Sequence, residues 1–442
     1  MKHILWFRRD LRVGDSAILH YASGEVLPIF IFDKNILDKL DKDDKRVTFI
    51  YQSVLSLKQQ LQDIGLDLAI FYGEPKEIFQ ALQMKYNFDE VLCSCDFDSY
   101  AIARDKSIES ILPMRRFYDS YLIHPNDGLK SDGTPYKVFT PFYKSLYPLW
   151  SCDKIDEYSI SKNVSKFQYD YSYIPTLLYL GFQKQNLAKF LKRSTDEMIK
   201  EFIPKLDNYQ EARDYFFLNG TSNLAVHLRF GLISPKQVFN KIKRYKNSEF
   251  FIRELFWREF YNYILYHYPK SEFENFKVKE IVWSDDKVKF QAWCDGATGV
   301  PIIDASMRYL NSTGLMHNRL RMIVAFFLTK NLFLPWKWGE QYFAKKLLDY
   351  DASSNIGSWQ WSASTGADSV PYFRVFNPYT QSAKFDKDGL FIKSVLKELR
   401  DVKPKLLHKE NGVSSSLFIE YPKAIVDIKL SRSETIKKFR NL

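Results

Sequence analysis

The sequence predicts two architectures in one chain: an α/β N-terminal domain with a parallel, Rossmann-like sheet, and an all-α C-terminal domain, joined by a long connector. Three observations predict this. Over the first 125 residues, short apolar runs alternate with segments whose apolar residues recur at helical spacing. From about 126 to 185 that rhythm lapses into a tract rich in Pro, Gly, Ser and Tyr. From 186 onward, helical spacing holds almost throughout. The expected boundaries are therefore 1–125, 126–185 and 186–442.

In the first stretch the strand candidates are HILWFRRD, EVLPIFIFD, LDLAIFYG, FDEVLCSC and RRFYDSYLI, all short and rich in Val, Ile, Phe and Tyr. Between them VTFIYQSVLSLKQQLQDIG and EPKEIFQALQMKYN carry helical spacing. A βαβα rhythm implies a parallel sheet covered on both faces, with ligands at the carboxyl ends of the strands. The turn after the first strand, RRDLRVGDS, has no GxGxxG, which excludes a dinucleotide held in the usual Rossmann manner. In the third stretch, SPKQVFNKIKRYK opens with Ser234 as N-cap and Pro235 at the first helical position. PIIDASMRYLNSTG starts on Pro301 and stops at Gly314. MHNRLRMIVAFFLTKN follows, and Arg319, Arg321 and Lys330 punctuate it, so its apolar half reads as core rather than membrane.

Composition narrows the function classes. No apolar run has bilayer length and MKHILWFRRDLR lacks the features of a signal peptide, so a cytoplasmic protein, in a bacterial cytoplasm or nucleoid, is expected. Lys and Arg number 64 against 53 Asp and Glu, a net charge of +11 that suits a polyanionic partner. Aromatics at 17% fit an aromatic-lined pocket or an aromatic core equally well. Cys93, Cys95, Cys152 and Cys294 are too scattered for a disulfide framework, and Cys93 and Cys95 read as one face of a buried strand rather than a metal pair.

Four constellations carry possible chemistry. On the helix 251–264, Glu254, Trp257 and Arg258 share a stripe that is either a polar–aromatic pocket wall or a surface pair over a core indole. Asn318, Arg319 and Met322 make a second mixed face, where Arg319 either grips a phosphate or carbonyl or snorkels. Asp349, Asp351 and Asn355 either hydrogen-bond a polyhydroxyl or N–H edge or cap the next helix. Thr221 and Ser222 precede an apolar helical run and suit a phosphate or a plain N-cap. Two tryptophans, Trp359 and Trp361, stand one residue apart among the small residues of SSNIGSWQWSA.

WFRRDLRVGD, YKVFTPF, NPYTQSAKFD and above all the dense stretch from TGVPIIDASMRYL to SWQWSASTGADSVPYFRVFNP resemble the photolyase/cryptochrome family, specifically its class I cyclobutane pyrimidine dimer photolyases. The resemblance implies an N-terminal antenna domain and a C-terminal domain that binds FAD. It places Tyr209 and Arg213 at the border of the flavin pocket and Thr221, Ser222, Asn223, Leu224 and Ala225 along its phosphates. Asp349 and Asp351 would contact the ribityl and ring parts, and Asn355 would face flavin N5. Ala225 departs from the commoner TSxLS pattern and loses one hydroxyl.

The same resemblance assigns the lesion pocket to Glu254, Trp257, Asn318, Arg319, Met322, Trp361 and Gln381, with Arg258, Arg319, Arg321 and Lys384 on DNA phosphates. MHNR is the dimer-repair form of a segment where (6-4) relatives use a histidine pair. The implied reaction is light-dependent: excited FADH⁻ gives an electron to a flipped-out dimer, the cyclobutane ring splits, and the electron returns. Trp359, Trp336 and Trp283 would form the electron chain that reduces the flavin, while Trp361 walls the dimer. For an antenna chromophore, Asp96, Tyr100, Arg104 and Asp105 match the deazaflavin-type pattern better than the folate type, with a flavin nucleotide or an empty pocket as alternatives. Damaged DNA is the implied partner and a monomer the implied state. The rival is a cryptochrome-like blue-light receptor without repair activity.

Overall fold

The computed structural model of the chain describes residues 1–151, 154–187, 193–277, 280–415 and 420–441; Cys152 lies outside them. The chain forms two compact units. The first contains Met1–Tyr136, Thr140–Leu206 and Ser222–Pro269; the second contains Lys137–Phe139, Asp207–Thr221 and Lys270–Leu442.

The first unit is built on a parallel sheet of β1 (Lys2–Phe7), β2 (Gly24–Asp33), β3 (Ala69–Gly73), β4 (Glu90–Ser94) and β5 (Met114–Phe117), in the order β3-β2-β1-β4-β5. Trp6 of β1 lies opposite Ile29 of β2 and Cys93 of β4. Near-continuous apolar runs such as ILWF and VLPIFIF suit strands buried on both faces. Helices α1 (Lys45–Asp63), α2 (Pro75–Tyr86) and α3 (Ser99–Glu109) supply the crossovers. Strand order reverses between β1 and β4, so the residues following those two strands border the crevice where such sheets take ligands.

Two local expectations are corrected. RRFYDSYLI is a strand only as far as Phe117, and the chain leaves the sheet at Tyr118. The tract expected to be an aperiodic connector adds β6 (Val164–Lys166), which pairs with the start of β2. That tract also buries Phe167 and Tyr171 in the sheet's flanking core, and Lys58 Nζ donates to the Tyr171 carbonyl at 3.0 Å. Irregular backbone hides its burial from any periodicity, because its apolar residues follow no fixed spacing. Segments 140–206 and 222–269 pack within this unit, including the 20-residue helix α4 (Ser248–His267).

The second unit is helical: α5 (Lys287–Asp295), α6 (Pro301–Thr313), α7 (Asn318–Phe326), α8 (Trp336–Lys346), α9 (Ala352–Ala363) and α10 (Ile428–Arg440). Helix α6 begins on Pro301 and ends on Gly314 at φ 76°, a left-handed conformation that glycine adopts at little cost. Its core gathers Trp293, Met307, Leu320, Val324, Trp336 and Trp359. After α7 the chain makes one π-helical turn at Phe327–Asn331. Lys330 of that turn is fully buried; its ammonium donates to the Ala363 carbonyl (3.2 Å) and Ser364 Oγ (2.8 Å) at the end of α9. No described helix is long and apolar enough to cross a membrane.

Candidate functional site

In the second unit a polar contact sits where α8 and α9 cross. Gly339 on α8 has no side chain, and a Cβ there would overlap the Trp359 indole and a Leu328 methyl. Helix α9 therefore lies close against α8, and the next residue, Glu340, meets Asn355. Asn355 Nδ2 donates to the Glu340 main-chain oxygen at 3.1 Å and to Glu340 Oε1 at 3.0 Å. Tyr350 Oη donates to the same Oε1 at 3.4 Å. Burial pushes the Glu340 carboxyl above its ordinary range, against the opposing pull of those hydrogen bonds. With Nδ2 committed to two acceptors, the Asn355 amide is oriented with Oδ1 directed away from Glu340.

Asp351 caps α9, Oδ1 accepting from Ser354 N (3.1 Å) and Ser353 Oγ (2.6 Å). Both oxygens of Asp349 accept from Arg321 Nη2, at 2.9 and 2.7 Å, while Arg321 Nε donates to the Met316 carbonyl. The two neighbouring carboxylates thus do different work: one caps a helix and the other anchors an arginine. Arg321, expected on a DNA phosphate, is turned instead to Asp349 and the Met316 carbonyl.

Trp359 and Trp361 leave α9 on different sides. Trp359 meets the rings of Phe343 (5.1 Å) and Trp293 (6.0 Å), whereas Trp361 lies edge-on to Phe326 of α7 (6.0 Å). Met322, one turn before Phe326, shares that stripe of α7. Trp336 is buried and donates from Nε1 to Asn275 Oδ1 at 2.8 Å, and Trp283 packs on Phe333 (5.0 Å) and Phe439 (6.3 Å). No ring contact among the described residues joins Trp336 to Trp359 or Trp283.

At the start of α7, Asn318 is exposed, while Arg319 pairs with Asp214 at 2.7 Å and lies 4.4 Å over the Phe385 ring. His317 caps this helix: its Nδ1 accepts from Arg319 N at 3.1 Å. That bond requires an unprotonated Nδ1, and burial, aided by Arg321 and Arg319, holds His317 down to about 4. Gln381 is half-buried on the helix Pro378–Phe385, where Lys384 is exposed. Tyr209 is buried, with the Arg213 guanidinium 5.9 Å from its ring centre, and Thr221 ends the same segment of this unit.

In the first unit, Glu254 and Trp257 are half-buried at i, i+3 of α4, and Trp257 packs on Phe260 (5.9 Å) and Tyr261 (5.7 Å). Arg258 departs from its expected role. Its Nη1 donates to the Ser120 carbonyl at 2.7 Å and its guanidinium lies 4.2 Å over Tyr121, so it faces the unit's interior rather than a DNA phosphate. One residue on, buried Glu259 accepts from Leu122 N at 2.9 Å, and burial pushes its carboxyl up to about 7. Spacing placed Arg258 near the Glu254 stripe but carried no information about the loop packed beside it. Ser222 Oγ accepts from Leu224 N at 3.3 Å, Asn223 has φ 58°, and Ala225 starts a five-residue helix whose N-cap, Leu224, offers no side-chain acceptor.

The deazaflavin-type residues stand beyond the carboxyl ends of the sheet, each held by a protein partner. Asp96 pairs with Arg9 (2.8 Å), Tyr100 Oη donates to Asp33 (2.5 Å), and Arg104 pairs with Asp105 (2.9 Å) while lying 4.8 Å from the Trp6 ring centre. Deeper down, Ser94 Oγ is 2.7 Å from both Asp10 Oδ2 and Asp119 Oδ1. One hydroxyl carries one proton, so the second contact requires a protonated carboxyl. Burial and the neighbouring Asp119 charge raise Asp10, against the pull of Arg8 N on its Oδ1, whereas Asp119 accepts from Arg12 and Ala17 N, so of the two carboxyls a proton is favoured on Asp10.

Glu340, Gly339, Asp214, His317 and Trp293 were not singled out from the sequence. A glycine inside the aromatic helix WKWGEQYF is the one available signal, since glycine in a helix interior points to a close approach.

The family model described as DNA photolyase matches residues 3–155, and the FAD binding domain of DNA photolyase matches 251–441. Deoxyribodipyrimidine photo-lyases of Alkalihalophilus pseudofirmus and Halobacterium salinarum are each 34% identical, over 99% of this chain and 97% and 98% of their own lengths. Among solved structures, a class III photolyase from Agrobacterium tumefaciens superimposes with a TM-score of 0.86 at 31% identity, covering 100% of this chain and 97% of its own. An archaeal photolyase from Sulfolobus tokodaii with two FAD molecules gives 0.84 at 32% identity, with 100% of each chain covered. A Synechocystis cryptochrome gives 0.85 at 25% identity, covering 99% and 98%. The chain belongs to the photolyase/cryptochrome family and carries its FAD-binding domain. The second unit fits that cofactor: a reduced flavin ring has an N–H edge that needs an acceptor, and Asn355 Oδ1 is an acceptor that the bonds to Glu340 leave open.

Proposed function

We propose that this protein repairs cyclobutane pyrimidine dimers in DNA in a light-dependent reaction. The observation that carries the reading is the α8–α9 crossing, which fixes an amide acceptor at Asn355 and sends Trp359 and Trp361 to opposite sides of one helix. When bound, reduced FAD supplies the excited-state electron that opens the cyclobutane ring and takes it back afterwards.

The protein's own residues bind, orient and shield. In the second unit, Asn355 receives the N–H of the flavin ring; Tyr209, Arg213, Thr221, Asp349 and Asp351 border the cofactor; and Asn318, Arg319, Met322, Trp361 and Gln381 meet the lesion or its backbone. In the first unit, Ser222, Asn223, Leu224 and Ala225 attend the phosphates, Glu254 holds the pyrimidine edge with a carboxylate, and Trp257 offers it an apolar face. Trp359 begins electron supply toward Trp336 and Trp283. Lys384 is the exposed cation assigned to a phosphate, and binding to DNA weakens with salt. A cytoplasmic monomer is the working state. A second, light-harvesting chromophore at the sheet's carboxyl ends is part of the reading, favoured by the Sulfolobus photolyase with two FAD molecules.

The test is direct: protein loaded with reduced FAD should remove cyclobutane dimers from DNA under blue light and not in the dark. Absence of removal in the light would sink the proposal and favour a light receptor, the reading that the Synechocystis cryptochrome supports. Glu254→Ala should weaken binding of dimer-containing DNA about tenfold, the worth of one charge-assisted hydrogen bond, with FAD still bound. An unchanged affinity in a filter-binding titration removes Glu254 from the lesion site.

A further inference from the structure

We propose that Glu340 is a positioning residue for the flavin: through two acceptors on one residue it sets the rotamer and the polarity of the Asn355 amide, and so the strength of the hydrogen bond that Oδ1 offers the cofactor. The inference rests on Asn355 facing the flavin and deepens that reading.

Four observations carry it. First, an asparagine amide has two N–H donors and one carbonyl acceptor, and turning it over exchanges them. Second, the main-chain oxygen of Glu340 (3.1 Å) cannot donate, so the Nδ2 group has to face it, whatever the protonation of the carboxyl. Third, Glu340 Oε1 (3.0 Å) takes the other share of Nδ2, and Tyr350 Oη holds that oxygen from a further side at 3.4 Å. Fourth, the approach is possible only because Gly339 lets α9 close on α8, where any side chain would strike Trp359. The result is two donors, the Asn355 amide and the Tyr350 hydroxyl, converging on one Glu340 oxygen, so the strength of Oδ1 as an acceptor depends on how firmly that oxygen and the Glu340 carbonyl hold Nδ2.

The chemistry separates orientation from charge. Glu340→Ala keeps the backbone acceptor but removes Oε1, so the amide loses half its hold. Glu340→Gln keeps an acceptor at the same reach without a carboxylate. A residue that only staples two helices changes melting temperature and leaves the cofactor's electronics alone, whereas a residue that tunes the Asn355 amide moves the flavin's midpoint potential.

The experiment is a spectroelectrochemical titration of the FAD-loaded holoenzyme, with the FAD dissociation constant measured alongside, for wild type, Glu340→Ala, Glu340→Gln and Asn355→Ala. The expected result is that Glu340→Ala shifts the midpoint potential in the same direction as Asn355→Ala and by at least half as much, while Glu340→Gln returns most of the shift. A shift for Asn355→Ala with none for Glu340→Ala overturns the inference and leaves the Asn355 assignment standing. No shift for Asn355→Ala instead overturns the reading on which the inference rests. Should Glu340→Ala fail to fold, Tyr350→Phe removes the competing donor and leaves Oε1 a stronger acceptor for Asn355: a smaller shift of sign opposite to that of Asn355→Ala supports the inference, and no shift, or one of the same sign, beside a shifted Asn355→Ala rejects it.

Discussion

The polar cluster under the sheet's carboxyl ends and the α8–α9 crossing are both buried, yet they are satisfied in opposite ways. In the first, Asp10, Ser94, Asp119 and Arg12 hold one another, and the main chain of Arg8, Asp15, Ala17 and Gly231 takes up what remains. In the second, Glu340, whose Oε1 also accepts from Tyr350, takes only the Nδ2 end of Asn355 and leaves its carbonyl turned away. A closed network fixes structure, because each group already has its partner and removing one strands another. An open network has a direction, and its unused end defines what can bind there. Burial alone does not tell the two apart; the donor and acceptor count does.

The largest test of this contrast is Asp119→Asn, which takes the carboxylate from the buried Arg12 guanidinium and leaves it backbone carbonyls alone; it should cost about 4 kcal/mol in denaturant unfolding, the scale for breaking one side of a buried pair. A cost below about 1 kcal/mol would mean the cluster is not closed around Arg12. Acid comes next, and it strikes both units alike. His227 in the first unit and His317 in the second are each held neutral, down to about 4, chiefly by burial. Their folded values lie below the unfolded one near 6.5, so the stability they contribute is complete above that pH and is lost as pH falls toward 4. Lowering the pH to 5 should remove about 2 kcal/mol per histidine. His227→Phe keeps the edge contact with Phe49 and should flatten that share of the pH profile in a melting series.

Gly339→Ala should cost about 2 kcal/mol by overpacking at Trp359 and should broaden the tryptophan emission. An unchanged melting curve would show that α9 is free to draw back from α8. The smallest effect belongs to Asp10→Asn. Its amide nitrogen can donate to Ser94 Oγ and leave the hydroxyl proton for Asp119, so unfolding free energy should change by less than about 1 kcal/mol, far less than for Asp119→Asn. Equal costs at the two positions would place the shared proton elsewhere.

The elements were legible where local chemistry sets them. The five strands follow from runs of Val, Ile and Phe, the start at Ser234–Pro235 from cap chemistry and the stop at Gly314 from a left-handed backbone. Resemblance brought Asn355, Glu254 and the two tryptophans into view, and the opposite sides taken by Trp359 and Trp361 could be expected because they lie two positions apart on one helix. The partner of each side chain was not legible. Arg258 turning to Ser120, Arg321 to Asp349 and Glu340 to Asn355 join residues separated by 138, 28 and 15 positions.

The sequence by itself determined where most helices and strands lie, which residues are apolar enough to be core, and that the chain has an α/β half and a helical half. Only the tertiary structure decided which polar groups close on each other and which keep an end open. Periodicity reports the face a residue occupies, but a hydrogen bond is set by the approach of a second element, and here that approach depends on a single missing side chain at Gly339.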